Sequence, residues 1–158
     1  MDWLDKQAAA SASLKLDCSD LSPAERNPQW LQSKAESMFK MGDYKSAVNA
    51  YTLAIRMRPN LYSLHLGRSE CHLKLHNLHK AIEDSSKALE LLVPPVASNA
   101  NARKEAHKIR GTAFQQLQLY VESLMDFDAA LKIGVKDEEL KTSADELRKC
   151  IERDTGSD

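Results

Sequence analysis

The strongest constraint on the fold is a regular spacing of small and aromatic residues that begins at Pro28. Residues 28–60 read PQWLQSKAESMFKMGDYKSAVNAYTLAIRMRPN, and the residues that set the pattern are Ala35, Gly42, Asp43, Tyr44, Ala47, Tyr51, Ala54 and Pro59. Advancing 34 positions from Ala35, Ala47 and Ala54 leads to Ser69, Ala81 and Ala88, which are again small. A fixed period of about this length is typical of stacked helix-turn-helix units.

Each recurring residue has a mechanical role in such a unit. Small side chains are expected where two helices cross closely, because a larger one would force the helix axes apart. Gly42 is predicted to end the first helix and Asp43 to cap the second. Tyr44 and Tyr51 are predicted to fill the wedge between the helices, and a proline closes the unit because it cannot continue a helix.

A third unit follows an interruption. The segment VPPVASNANARK at 93–104 stops the helix with Pro94 and Pro95, and it displaces the next unit by eight residues relative to the period. The third unit is predicted to begin near Lys104, with Gly111 as its small residue. Beyond it, Leu140, Ala144, Leu147 and Ile151 form one apolar face of a charged helix. Solenoids need such a cap, because the last repeat otherwise exposes its stacking face.

The pattern is that of the tetratricopeptide repeat (TPR), and it predicts an all-α fold. We expect a right-handed superhelix of three repeats at about 28–61, 62–95 and 104–136, followed by a capping helix and tail at 137–158. Residues 1–27 are predicted to form an N-terminal helix and linker. The first helix of each repeat should line the concave face.

Composition argues against several classes of function. The 22 basic and 23 acidic residues leave a net charge of −1, whereas a nucleic-acid-binding domain normally carries an excess of positive charge. No run of about 18 apolar residues predicts a membrane span, and no signal peptide is apparent at the start. The three cysteines form no CxxC pair, which favours reduced thiols in the cytoplasm, with the nucleus as a second compartment.

Neither catalysis nor a cofactor is expected, since no nucleophile elbow, phosphate loop or dinucleotide motif occurs. His72, His76 and His79 have a spacing that would place them near one helical face, but the predicted turn at His76-Asn77 breaks that face. No metal site is therefore predicted. A protein segment held in a groove is the expected ligand.

Three stretches carry a closer resemblance: HKAIEDSS at 79–86, the Pro94-Pro95 insertion and RGTAF at 110–114. Over about Asn27 to Ile133 the chain resembles the C-terminal TPR region of the dynein axonemal assembly factor 4 family. The resemblance implies a co-chaperone-like factor for the cytoplasmic preassembly of axonemal dynein arms, which are delivered to motile cilia. The partners it implies are heat-shock chaperones or dynein-assembly factors. Members of that family also carry an N-terminal chaperone-binding β-sandwich that this sequence lacks, so we expect a fragment or a shortened paralogue.

TPR co-chaperones grip the acidic C-terminal tail of heat-shock chaperones with cationic and amide side chains on their first helices, a carboxylate clamp. The resemblance implies that the clamp positions fall on Gln32, Glu36, Gly67, Glu105 and Ile109. Positive charges are absent from all five positions, and two of them are negative. The usual clamp is therefore predicted to be absent, because an acidic tail needs cationic donors on one face.

A secondary set of groove candidates lies beside the clamp positions: Lys34, Arg68, Lys104, Lys108 and Arg110. Neighbouring helical positions differ by about 100° in direction, so these cations are expected to point away from the groove. Lys34, Arg68 and Arg110 are expected to pack their stems between helices and keep their charges at the surface.

The sequence thus predicts a non-catalytic TPR adaptor whose groove favours a basic or mixed-charge segment. Two alternatives remain open. One is a self-associating structural subunit whose groove is filled by its own chain or a second copy. The other is a scaffold whose groove has been altered for a non-chaperone peptide, whether by evolution or by engineering.

Overall fold

A computed structural model describes residues 22, 23, 26–134 and 136–156 of the chain. Within these ranges it contains α-helices and one 3-10 turn but no strand. The helices are α1 (Pro28–Lys40), α2 (Tyr44–Met57), α3 (Tyr62–Lys74), α4 (Leu78–Leu91), α5 (Ala100–Gln116), α6 (Tyr120–Ile133) and α7 (Glu138–Thr155). The predicted all-α fold is confirmed. The N-terminal helix predicted within 1–27 lies outside the described residues.

The helices pack as consecutive hairpins. The pairs α1–α2, α3–α4 and α5–α6 form three repeats, and α7 packs against α6. The first helices also contact one another, α1 with α3 and α3 with α5. A solenoid curves toward the side on which its elements approach closely, so the first helices line the inner face. The third repeat begins at Ala100, four residues before the expected start at Lys104.

The turn inside each repeat has the same backbone geometry. Gly42, His76 and Gln118 lie at corresponding positions and have φ angles of 81°, 58° and 61°. Such positive values favour glycine, so Gly42 is the unstrained member of the set. The side chain of Asp43 caps α2 as predicted, because its Oδ1 accepts a hydrogen bond from the Ser46 amide at 3.2 Å.

Small residues permit the close helix crossings that the repeat requires. Ala35 and Ser69 are fully buried, and Gly111 is buried at the corresponding place in the third repeat. A Cβ atom at Gly111 would lie 2.7 Å from the ring of Phe127, which is closer than packed carbon atoms approach. Glycine at this position therefore lets α5 lie directly against the aromatic ring on α6.

The insertion between the second and third repeats is organised by Asn99. Its Oδ1 accepts from the Val96 amide at 3.1 Å and from Arg103 Nε at 2.6 Å. Its side-chain amide donates to the Pro94 carbonyl at 3.0 Å. The extra residues thus close into a short 3-10 turn, Ala97–Asn99, directly before α5.

Helix α7 covers the end of the array. Leu140, Ala144 and Leu147 are buried against Phe127 and Ala130 of α6, while Ile151 is only partly buried. The Asp137 side chain caps α7 by accepting from the Leu140 amide at 3.0 Å. Among the described residues, no helix is both long and apolar enough to cross a membrane.

We predict that Gly111→Ala destabilises the fold by about 1–2 kcal/mol. Overpacking against Phe127 costs about 1–3 kcal/mol, which exceeds the gain of up to about 1 kcal/mol from replacing a helical glycine. Gly134→Ala is the control, because its new Cβ meets only the Lys104 side chain, which can shift while Lys108 still binds Asp137. That control should stay within about 0.5 kcal/mol of the parent in urea denaturation. Equal effects of the two substitutions would contradict the crossing argument.

Candidate peptide groove

The first two repeats form a pocket on the inner face of the array, here called the Tyr51 pocket. Its volume is about 310 Å³, and it is lined by Gln32, Glu36, Phe39, Lys40, Tyr51, Ser63, Leu66, Gly67 and Glu70. The Gln32 side-chain amide donates to Ser63 Oγ at 3.3 Å, so the pocket bridges α1 and α3. Three of the five predicted groove residues, Gln32, Glu36 and Gly67, therefore lie together in one pocket.

The other two predicted groove residues lie one turn apart on α5. Glu105 is exposed, and its charge acts on Glu70 of α3, so it lies on the same inner face. Ile109 is only 6% exposed and offers a ligand little surface. Its apolar side chain contributes to packing below the groove.

Glu70 also lies in the groove, although it is not at one of the five clamp positions. It lies 34 positions after Glu36, so the repeat period alone could have placed both carboxylates on the same face. Partial burial and repulsion from Glu105 raise the pKa of the Glu70 carboxyl above its ordinary value, against an opposing effect of Lys74. Burial and the charge of Glu105 therefore outweigh the favourable effect of Lys74 on the ionised carboxylate.

Glu36, Glu70 and Glu105 form an acidic row along the three first helices. Within the described residues, none of the three carboxylates forms a hydrogen bond or an ion pair. Lys40 and Lys74 lie nearby, but no ion pair joins either lysine to these carboxylates. The inner face therefore carries negative charge that a ligand could neutralise.

Arg68 and Arg110 do not face this groove. The Arg68 guanidinium binds Asp84 of α4 in a bidentate manner, with N–O distances of 2.7 and 2.8 Å. Arg110 binds Asp126 of α6 in the same way, with both distances 2.8 Å. Their charges are held against the second helix of their own repeat, in the direction away from the groove that the helical period predicts.

The two arginine sites are copies of one arrangement. Arg68 also donates to Thr52 on the preceding second helix at 3.2 Å, and Arg110 donates to Ser86 at 3.1 Å. Each guanidinium thus joins the second helices of successive repeats. Lys34 occupies the corresponding position in the first repeat, 34 residues before Arg68, and therefore lies on the same side of its helix.

A histidine accompanies each aspartate. His107 Nδ1 lies 2.8 Å from Asp126 Oδ1, and His65 Nδ1 lies 4.0 Å from Asp84. Burial by itself raises the pKa of Asp126, but hydrogen bonds from His107 and Arg110 outweigh it and hold that pKa below its ordinary value. The stability that these contacts add is present at neutral pH and is lost as pH falls through the lowered pKa.

Lys104 and Lys108 are also engaged elsewhere. Their Nζ atoms lie 3.6 and 3.3 Å from the carboxylate of Asp137, at the start of α7. The backbone amide of Leu140 and these two lysines hold the pKa of Asp137 below its ordinary value. Both lysines therefore secure the capping helix and are not free cations of the groove.

The histidines considered as a metal site take different roles. His72 is buried and its Nε2 lies 3.7 Å from Asp84, whereas His76 forms the turn and His79 is exposed on α4. Burial lowers the pKa of His72, although Asp84 acts in the opposite direction. In the part of the chain that is described, no group of three potential ligands is arranged to hold a metal ion.

These hairpins and their common inner groove define the chain as a tetratricopeptide-repeat protein. Comparison with solved structures agrees: the TPR domain of Arabidopsis OM64 aligns with a TM-score of 0.70 at 26% identity, covering 80% of this chain and 98% of that one. The first TPR domain of Spaghetti (RPAP3), bound to the HSP90 peptide SRMEEVD, aligns with a TM-score of 0.70 at 22% identity, covering 80% and 94%. No protein-family model matches the chain.

The sequence is similar to dynein axonemal assembly factor 4. The mouse (Mus musculus) protein is 53% identical over 154 residues, which cover 96% of this chain and 37% of that protein. The resemblance is therefore confirmed, and it extends beyond the Asn27–Ile133 region in which it was recognised. The chain spans little more than a third of the length of these curated relatives.

We predict that Asp126→Ala lowers the free energy of unfolding by about 2–4 kcal/mol. The substitution leaves the largely buried Arg110 and His107 without their shared partner, and breaking a buried pair is costly. Asp128→Ala is the matched control on the same helix, because the Asp128–Arg148 pair is far more exposed than Asp126, with side chains 39% and 45% exposed against 5%. Its cost should not exceed about 1 kcal/mol in urea denaturation at neutral pH. A comparable loss in both variants would refute the distinction.

We also predict that Glu105→Gln lowers the pKa of Glu70 toward its ordinary value, because it removes a repulsive charge. Lys74→Met should have the opposite effect, since it removes the one cation that favours ionisation of Glu70. Carboxyl carbon chemical shifts followed through an NMR pH titration report both changes. A Glu70 pKa that is insensitive to Glu105 would place the two carboxylates on separate faces.

Proposed function

We propose that this chain is a non-catalytic adaptor that holds a basic or mixed-charge segment of another protein in its inner groove. The observation that carries the proposal is the acidic row of Glu36, Glu70 and Glu105, whose carboxylates have no partner among the described residues. A chain segment with lysine or arginine side chains would supply the missing counter-charges. Electrostatic complementarity of this kind selects partners and suppresses those of like charge.

The same charges disfavour an acidic chaperone tail. The clamp positions hold Gln32, Glu36, Gly67, Glu105 and Ile109, and the neighbouring Arg68 and Arg110 are held by aspartates on the opposite side of the first helices. An acidic tail, such as the SRMEEVD peptide that Spaghetti (RPAP3) binds with the same fold, would therefore meet like charge in this groove. We infer that this groove does not bind such tails in the usual manner.

The cellular role that we propose follows from the similarity to dynein axonemal assembly factor 4. The adaptor would act in the cytoplasm during the preassembly of axonemal dynein arms and bind a segment of an assembly factor or of a dynein subunit. Both the TPR fold and this relative support a protein-interaction role rather than catalysis.

The proposal predicts opposite outcomes for two peptides in isothermal titration calorimetry. The acidic peptide SRMEEVD should show no binding up to millimolar concentration. Its counterpart SRMKKVK, with an amidated C-terminus, should bind in the micromolar range and weaken steeply with added salt. Micromolar binding of the acidic peptide, or failure of the basic one to bind, would overturn the proposal. A scrambled basic peptide controls for unspecific attraction.

A further inference from the structure

We propose that the Tyr51 pocket receives one cationic side chain, a lysine or an arginine, from the bound segment. This inference rests on the proposed function, and it assigns one residue of the partner to one place in the groove. The pocket, the buried tyrosine and the unpaired carboxylates each support it separately.

The pocket has the shape and chemistry of a site for a long cationic side chain. Lysine and arginine combine an apolar stem with a charged head. Phe39 and Leu66 provide apolar wall for the stem, and Glu36 and Glu70 provide carboxylates for the head. These carboxylates come from α1 and α3, so a cation between them would also join the first two repeats.

Tyr51 supplies an observation that is independent of the acidic residues. Its side chain is 95% buried, being only 5% exposed, yet it lines the pocket and has no hydrogen-bond partner among the described residues. The hydroxyl oxygen is the part of this side chain that reaches the pocket, because among the described residues only His65 Nδ1 is a fully buried side-chain polar atom without a partner. An ammonium or guanidinium group in the pocket would donate a hydrogen bond to this oxygen.

Gly67 holds the tyrosine in this position. A Cβ atom there would lie 2.7 Å from Tyr51 Cε1 and closer still to Cζ, so the ring occupies the space that a side chain would fill. Gly67 stands at a clamp position and carries no side chain, and the Tyr51 hydroxyl reaches the groove there from α2. The Tyr51 hydroxyl also lies close to both carboxylates: burial raises its pKa most, and Cys71, Glu36 and Glu70 raise it further. The phenol therefore stays neutral and available as an acceptor.

Among the described residues, Lys40 is the one cation that lines the pocket. It forms no ion pair with Glu36 or Glu70 in the structure, so an incoming cation has no bound lysine to displace. Lys40 still repels a cationic ligand. Lys40→Met should therefore tighten the binding of a basic peptide, roughly twofold to fivefold.

The test measures binding of SRMKKVK-amide to pocket variants by calorimetry. Glu36→Gln and Glu70→Gln should each weaken binding roughly threefold to fivefold, and the double variant should weaken it more than either one. Tyr51→Phe keeps the ring and removes only the hydroxyl, and it should weaken binding by a similar factor. Glu122→Gln is the matched control, because it removes the same charge from an exposed position on α6 and should leave the affinity unchanged.

Peptides in which one cationic residue at a time is replaced by methionine identify the occupant. Replacing the peptide residue that occupies the pocket should have no further effect on binding to the Glu36→Gln/Glu70→Gln double variant. Replacing any other cationic residue should weaken binding to the parent and to the double variant by the same factor. Equal binding of the basic peptide to the parent and to all pocket variants would overturn the pocket assignment and leave the proposed adaptor function standing. No binding to any variant, the parent included, would overturn both. Thermal melts of each variant separate loss of binding from loss of fold.

Discussion

The close approach of paired helices is the constraint on which the rest of the structure depends. Ala35, Ser69 and Gly111 are buried at the crossings, and in the third repeat the ring of Phe127 on the second helix fills the space beside Gly111. Gly111 and Phe127 show the arrangement most directly, since no Cβ atom fits between them. Because each hairpin is held this tightly, successive hairpins stack with a nearly constant offset and their first helices form a continuous inner face.

Charge is distributed unevenly across this stack. On the side of the second helices, Arg68 and Arg110 are each bound to a buried aspartate, and each also reaches a hydroxyl on the preceding repeat. On the inner face, no cation of the described part of the chain is bound to Glu36, Glu70 or Glu105. All three carboxylates are exposed to solvent, and the proposed basic segment would supply their counter-charge.

The sequence alone predicted the helices and turns well, because their signals are local. Gly42 and Asp43 mark a turn by their own chemistry, and the same turn recurs at His76 and Gln118 even though neither residue is a glycine. The helical period also predicts that Arg68 and Arg110, although they adjoin clamp positions, point away from the groove. Their partners, Asp84 and Asp126, lie 16 residues away on another helix and have no local signal in the sequence. Glu70 was missed because only the clamp positions were compared, whereas the repeat period pointed directly to it.

Tyr51 connects the fold with the groove. Its ring packs against the backbone of Gly67 and so fixes how the second repeat lies on the first, while its hydroxyl reaches the pocket beside Glu36 and Glu70. In a groove that binds acidic tails, the corresponding region presents amide and cationic donors to carboxylates. Here the side chains present acceptors instead: two carboxylates and one phenolic oxygen. The same stacking of hairpins therefore supports a groove of opposite charge, and only a few side chains on the first helices decide which kind of segment it can hold.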